Sequence, residues 1–261
     1  MKLFVISKNT IIMYFIMTVL LSGLILFNRD TVAEVFENAS PKRDLPIYCV
    51  DKGDKKVCSV SFDAAWGNED TDELIAILGK HNIKATFFVV GAWVDKYPES
   101  VKKLADAGHE VMNHSDSHPH LTKLSEAEII KEINTCSDKI EAVTGKRPNL
   151  MRPPYGDYND KVVSTARSID HYTIQWDVDS LDWKDLSPAA IYDRVTQRVK
   201  PGSIVLFHNA AKNTPAALPQ ILEKLISDGY EFVPVSQLIY TENYKIDNTG
   251  KQIPVITQPL N

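Results

Sequence analysis

Two histidines four residues apart, His114 and His118, enclose Ser115-Asp116-Ser117 and follow a short apolar run. On one turn of helix such a pair faces the same way, and two imidazoles so placed can share a divalent ion. Asp63 ends an earlier apolar run, where a carboxylate either caps the next helix or acts as general base on an activated water. Arg152 opens Arg152-Pro153-Pro154-Tyr155-Gly156, an always-charged guanidinium on a stiff segment. Beside a carboxylate, such a group keeps its partner ionised and aimed. The stretch from Trp176 to Trp183 gathers Asp177, Asp179 and Asp182 between two indoles, whose faces suit sugar rings although a Trp is more often core. Leu206-Phe207-His208 ends another run with a histidine suited to protonate a departing amine.

These residues need elements that bring them together. Apolar runs at 57–62, 85–90, 110–113, 149–152, 172–177, 203–208 and 231–235 alternate with amphipathic stretches at 71–81, 99–108, 124–144, 159–168, 188–200 and 215–228. Strands alternating with helices predict parallel βαβ units, either in an open doubly wound sheet or in a barrel. Ser125 with Glu128 reads as a capping box, and Ser187 before Pro188 reads as a second helix start. The segment after the first run, from Ser61 to Gly67, holds no Gly-rich phosphate loop, which argues against a nucleotide-binding fold. Asp63, His114, Arg152, Asp177, Asp179 and His208 all fall at the ends of successive strand candidates, the rim on which barrels build sites.

Within 261 residues, 44% apolar and 24% charged, one globular domain is expected, and the net charge of −5 argues against a nucleic-acid binder. Lys2 and Lys8 precede an apolar run over about 10–27. Its length suits a signal anchor better than a cleaved signal peptide, with the bulk of the chain outside the cytoplasm. The organisation expected is a signal anchor or signal peptide at 1–28, a juxtamembrane linker at 29–45, a domain at 46–240 and a tail at 241–261 without assignable pattern. Cys49 and Cys58 flank a stretch read as a hairpin turning at Gly53-Asp54, which would set the two cysteines opposite one another. Bonded and free states both remain open there. Cys136 falls on the helical stripe Ile129, Ile133, Cys136, Ile140 and is expected to pack in the core.

The order of Asp63, the histidine pair, Arg152-Pro-Pro-Tyr155, Asp179 to Asp182-Trp183 and Leu206-x-His208 resembles the five motifs of the polysaccharide deacetylase family (carbohydrate esterase family four). The resemblance covers about 57–238, and the stretch from Ser61 to Asp70 is most similar to the family's sporulation-associated branch. It implies a distorted (β/α) barrel of about seven parallel strands. The implied substrate is N-acetylated glycan, peptidoglycan or a chitin-like polymer. It further implies Asp63 as catalytic base, His114 and His118 as metal ligands, Arg152 as the group orienting the base, and Tyr155 as oxyanion donor through its backbone N–H. Asp182 becomes the partner of the acid His208, Trp183 a wall of the groove, and Leu206 the contact for the acetyl methyl. The implied cofactor is a divalent metal, zinc with cobalt or manganese as alternatives, and no organic cofactor or protein partner is expected.

One position departs from the family. Its first motif carries two consecutive aspartates, the second a metal ligand, and here that position is Ala64. A first-shell loss should cost at least the ~10–100-fold in metal affinity typical of outer-shell changes. Asp63 itself, Asn68, Glu69 and Asp116 are candidate replacements. Two other outcomes stay open on the same scaffold: a catalytically weakened glycan-binding relative, and a hydrolase of another acyl or cyclic amide bond.

Overall fold

The computed structural model describes Lys8, Thr10, Met13, Tyr14, Phe15, Met17, Thr18, Ser22 and residues 43–255. The chain divides into two compact units, 1–43 and 44–261. In the first, the described positions up to Ser22 are helical and Arg43 is not. The rest of the expected anchor, and most of the expected linker, lie outside the described residues. Among those described, no helix is long and apolar enough to cross a membrane.

The second unit holds eleven described strands, parallel in the main sheet, with the last two pairing antiparallel in a small second sheet. They are β1 (Cys49–Val50), β2 (Val57–Ala64), β3 (Thr86–Val89), β4 (Glu110–Asn113), β5 (Leu150–Met151), β6 (Tyr172–Thr173), β7 (Val178–Asp179), β8 (Ile204–His208), β9 (Glu231–Phe232), β10 (Tyr244–Ile246) and β11 (Lys251–Pro254). The main sheet runs β6-β5-β4-β3-β2-β8-β7, with β9 paired to the start of β2. Every neighbouring pair in it is parallel. Around it pack α1 (Thr71–Lys80), α2 (Gly91–Lys96), α3 (Pro98–Asp106), α4 (Glu126–Thr144), α5 (Asp160–Ser168), α6 (Pro188–Thr196), α7 (Thr214–Ser227) and α8 (Val235–Leu238). The architecture is a distorted α/β barrel, as the sequence implied.

β2 is buried along all eight residues, which is what a central parallel strand covered on both faces requires. Its residues alternate. Val60, Phe62 and Ala64 join the apolar layer beneath the helices, where Phe62 stacks on Phe87 and Phe207. Ser59, Ser61 and Asp63 take the other face, so the strand's polar residues line the barrel interior. α4 starts with the expected capping box: Ser125 Oγ accepts from the Glu128 N–H, and Glu128 Oε2 accepts from the Ser125 N–H at 2.8 Å. Gly145 ends it in the left-handed conformation, φ 71°.

Three expectations are corrected. The Gly53 turn exists, but β1 and β2 do not form a hairpin: Cys49 pairs with Lys251 and bridges Ser203. All three cysteines are free, and Cys58 is buried in β2. The partner that draws β1 away is β11, which lies in the segment without recognisable pattern. The strand expected over 172–177 stops at Thr173, and a further short strand, Val178–Asp179, follows. Asp177 consequently sits away from the rim, accepting from Ser203 Oγ (2.7 Å) and the Ile204 N–H (2.8 Å) at the start of β8. Cys136 is buried as expected, its Sγ donating to the Val89 carbonyl.

The approach of β1 to the main sheet depends on Gly202, which has φ +83° and whose added Cβ would lie 1.7 Å from the Val50 carbonyl oxygen. Gly202→Ala should therefore destabilise the protein by about 2–4 kcal/mol through combined clash and backbone strain, read as a lowered urea midpoint with unchanged slope.

Candidate active site

Asp63 and His208 end adjacent parallel strands and are register partners, so their side chains leave the sheet side by side. Each has its own partner. Arg152 follows β5, is fully buried, and donates from Nη1 to Asp63 Oδ1 at 2.7 Å. Its Nη2 donates to Ser61 Oγ at 2.9 Å and to the Gln175 carbonyl at 3.1 Å. The guanidinium lies over the Phe88 ring, 4.1 Å from its centroid, with Trp176 at 5.4 Å. Burial alone would raise the Asp63 carboxyl, but the Arg152 charge, the neighbouring histidines and the Arg152 hydrogen bond outweigh it and hold Asp63 below the usual carboxylate range. It is an ionised base.

Asp182 organises the opposite wall. Its Oδ1 lies 2.8 Å from His208 Nδ1 and accepts from the Trp183 N–H at 2.9 Å. Its Oδ2 accepts from the His208 N–H (2.8 Å) and Thr214 Oγ1 (2.7 Å). A carboxylate only accepts, so His208 carries a proton on Nδ1 and turns Nε2 away from Asp182. Burial would lower the imidazole, yet the bond and charge of Asp182, followed by Asp63 and Asp179, hold it above its ordinary 6.5. One group is pushed down and the other up, the separation that assigns a base and an acid.

His114 and His118 complete the cluster, though on a loop rather than a helical turn. Ser115 (φ 66°) and His118 (φ 60°) are left-handed, and Ser115 Oγ accepts from the His118 N–H at 3.0 Å. The loop is pinned by Asn113 Oδ1 accepting from the Ser115 N–H and by Glu132 accepting from the N–H groups of Asp116 and Ser117. His114 Nδ1 donates to the Arg152 carbonyl at 2.8 Å, which leaves the Nε2 lone pair 3.6 Å from Asp63 Oδ2. The two imidazoles meet edge to face, centroids 5.0 Å apart. Burial lowers His114, and burial with the neighbouring His114 brings His118 down to about 4, so both stay neutral at pH 7.

The donors available here for a divalent ion are two imidazoles, His114 and His118, both in the neutral state that metal binding requires, against the three or four protein ligands usual for zinc. Among the described residues no third His, Cys, Asp or Glu joins them. Ala64 is fully buried with the apolar layer. Of the candidate replacements, Asp116 pairs with Lys139 at 2.6 Å and Asn68 donates to Ser100 Oγ at 3.0 Å.

Tyr155, at φ 61° and 63% exposed, leans its ring on His118 and stacks on His120. His120 in turn bonds Asp157 at 2.9 Å on the exposed rim. Leu206 is buried two residues before His208, on the same strand face. Trp183 is exposed beside Asp182. Motif reasoning missed Ser61, Thr214 and Trp66. The alternation of β2 points to Ser61, because it shares the face of Asp63; nothing local points to Thr214.

An ionised carboxylate, a protonated imidazole and two neutral imidazoles gather around one mouth of the barrel. The chain belongs to the polysaccharide deacetylase family, whose pattern matches residues 51–174. It is 41% identical over 184 residues to the peptidoglycan-N-acetylmuramic acid deacetylase PdaC of Bacillus subtilis, covering 70% of this chain and 39% of that one. The peptidoglycan-N-acetylmuramic acid deacetylase PdaA of the same organism is 30% identical over 196 residues, 74% of either chain. A CE4 family pseudoenzyme from Bacillus anthracis superimposes with a TM-score of 0.71 at 37% identity, covering 77% of this chain and 70% of that one.

Removing the guanidinium leaves a buried carboxylate uncompensated, so Arg152→Met should cost about 3–5 kcal/mol of stability in urea unfolding.

Proposed function

We propose that this protein hydrolyses N-acetyl groups from amino sugars of cell-wall glycan, peptidoglycan or a chitin-like polymer. The observation that carries the reading is the pair of dyads, Asp63–Arg152 and His208–Asp182, ending neighbouring strands with their proton affinities driven apart. Asp63 accepts a proton from the attacking water, and Arg152 keeps it ionised and oriented. His208 gives its Nε2 proton to the departing amine while Asp182 stabilises the imidazolium. The backbone N–H of Tyr155 faces the oxyanion, and Leu206 receives the acetyl methyl. His114 and His118 would hold a divalent ion, zinc or alternatively cobalt or manganese, and a bound ion would supply electrophilic polarisation of the acetamide carbonyl and of water. The apolar N-terminal run supports a membrane-tethered, extracytoplasmic location, where such a glycan lies.

A second reading is favoured by Ala64 and the two-ligand donor set: a weakened relative that binds glycan without turnover. Metal-stripped protein, given zinc, cobalt or manganese and N-acetylglucosamine oligomers or peptidoglycan, separates the two. The deacetylase reading expects metal-restored acetate release that Asp63→Asn abolishes; glycan binding without release under every metal supports the second. His114→Ala and His118→Ala should each weaken zinc binding by ~10-fold or more, measured by competition with a chromogenic chelator.

The pH profile follows from the two shifts. Activity should rise as pH climbs through the lowered carboxyl of Asp63, below 3.8, and fall as it passes the raised imidazole of His208, above 6.5. Asp182→Asn should move the alkaline limb to lower pH; an unmoved limb removes His208 from the acid role.

A further inference from the structure

Two residues beyond β2, Trp66 presents an indole that is neither core nor loose surface. Its ring stacks on the His208 imidazole, centroids 5.7 Å apart and planes 18° from parallel. Its outward side leaves the residue 45% exposed. The backbone beneath it is fixed with unusual redundancy. Trp93 Nε1 donates to the carbonyls of both Trp66 (3.1 Å) and Gly67 (2.7 Å), and Asn209 Nδ2 donates to the same two at 2.8 and 2.6 Å. Asp70 Oδ2 accepts from the Ala210 N–H at 2.8 Å, tying the same two loops a third time. Gly67 (φ +37°) allows the close approach, since a Cβ there would lie 2.6 Å from that of Ala210.

A ring that merely fills space would be buried, because covering an indole is among the larger gains a side chain offers. Here the loop is locked while half the ring stays open, so rigidity is spent on presentation. Single exposed apolar residues are common and need no explanation. Among the described residues of 44–255, however, the exposed aromatics are Trp66, Trp183 and Tyr155, and all three rim this one site. A pyranose ring has a C–H face that packs flat on an indole, and rigid aromatic anchors bind at small entropic cost.

We propose that Trp66 is a substrate-positioning residue: its inner face holds the His208 imidazole in line, and its outer face receives a pyranose ring of the glycan on the acid side of the cleft. The identity of the glycan rests on the deacetylase reading above; the stacking role does not.

The test compares the native full-length chain, Trp66→Ala and Trp66→Phe in detergent. Penta-N-acetylchitopentaose binding to the metal-stripped proteins is measured by calorimetry, and KM and kcat are measured on metal-loaded proteins, with circular dichroism as the fold control. Trp66→Ala should raise both Kd and KM on the order of 10-fold, and Trp66→Phe should recover most of that loss. Unchanged Kd and KM in a folded, active Trp66→Ala protein overturn the proposal. Binding that depends on Trp66 with no acetate release from any form keeps the platform and discards the deacetylase reading. Absence of both binding and release in the native chain discards both.

Discussion

The contact between Arg152 and Asp63 is the constraint around which this molecule is arranged. β5 and β2 are three strand steps apart in the sheet order, which in a flat sheet is roughly 14 Å. No arginine spans that distance to make a 2.7 Å bond, so the pair exists only if the sheet curls. The same curl lets His114, two steps from β2, put its Nε2 3.6 Å from Asp63. Barrel closure and site assembly are therefore one event. The ion pair also requires its dry setting: with both groups almost wholly out of water, either alone would be strongly destabilising. Ser61 and Gln175 accept from Nη2 and the Phe88 face covers the guanidinium, while its buried Nε has no hydrogen-bond partner among the described residues.

Backbone strain gathers at the same mouth. Ser115, His118, Tyr155, Leu181 and Ala210 all hold positive φ without being glycine. Each such residue costs on the order of 1 kcal/mol or more and persists only where its surroundings over-determine it. The restraints are visible: Glu132 and Asn113 on the histidine loop, Asp182 on the strand β8 side, Trp93 and Asn209 on the loop after β2. Rim loops that would otherwise be the mobile part of a barrel are cross-tied to helices and to one another. The result is a site whose geometry is set before a substrate arrives.

Much of this could be read in the residues. Apolar runs alternating with capped amphipathic stretches pointed to β2, β3, β4, β8 and the long α4, because burial on both faces and a 3.6-residue stripe leave strong local signatures. The ordering of Asp63, His114, Arg152 and His208 at strand ends foretold which side chains would meet. What was hidden depends on distant partners. β1 looked like half of a hairpin because a turn sequence is local, while its true neighbour, β11, lies two hundred residues away. β6 and β7 are two residues each, too short for periodicity to register. The histidine pair had helical spacing, yet the conformation was decided by Asn113 and Glu132, which no spacing rule weighs. Thr214 and Trp66 act through the shape of the rim.

The pairing of β1 with β11 has a mechanical side. The strands are parallel, and β11 is the last described strand, so the two ends of the folded unit leave from opposite ends of one hydrogen-bonded seam. Tension applied between those ends would load the seam along its length, all bonds sharing the strain, rather than opening it one bond at a time. Gln252 thickens the same joint from within, exchanging bonds with both the N–H and the carbonyl of Tyr240. Shear of this kind is opposed by more bonds at once than peeling would meet, so the joint is stiffer along the strands than across them.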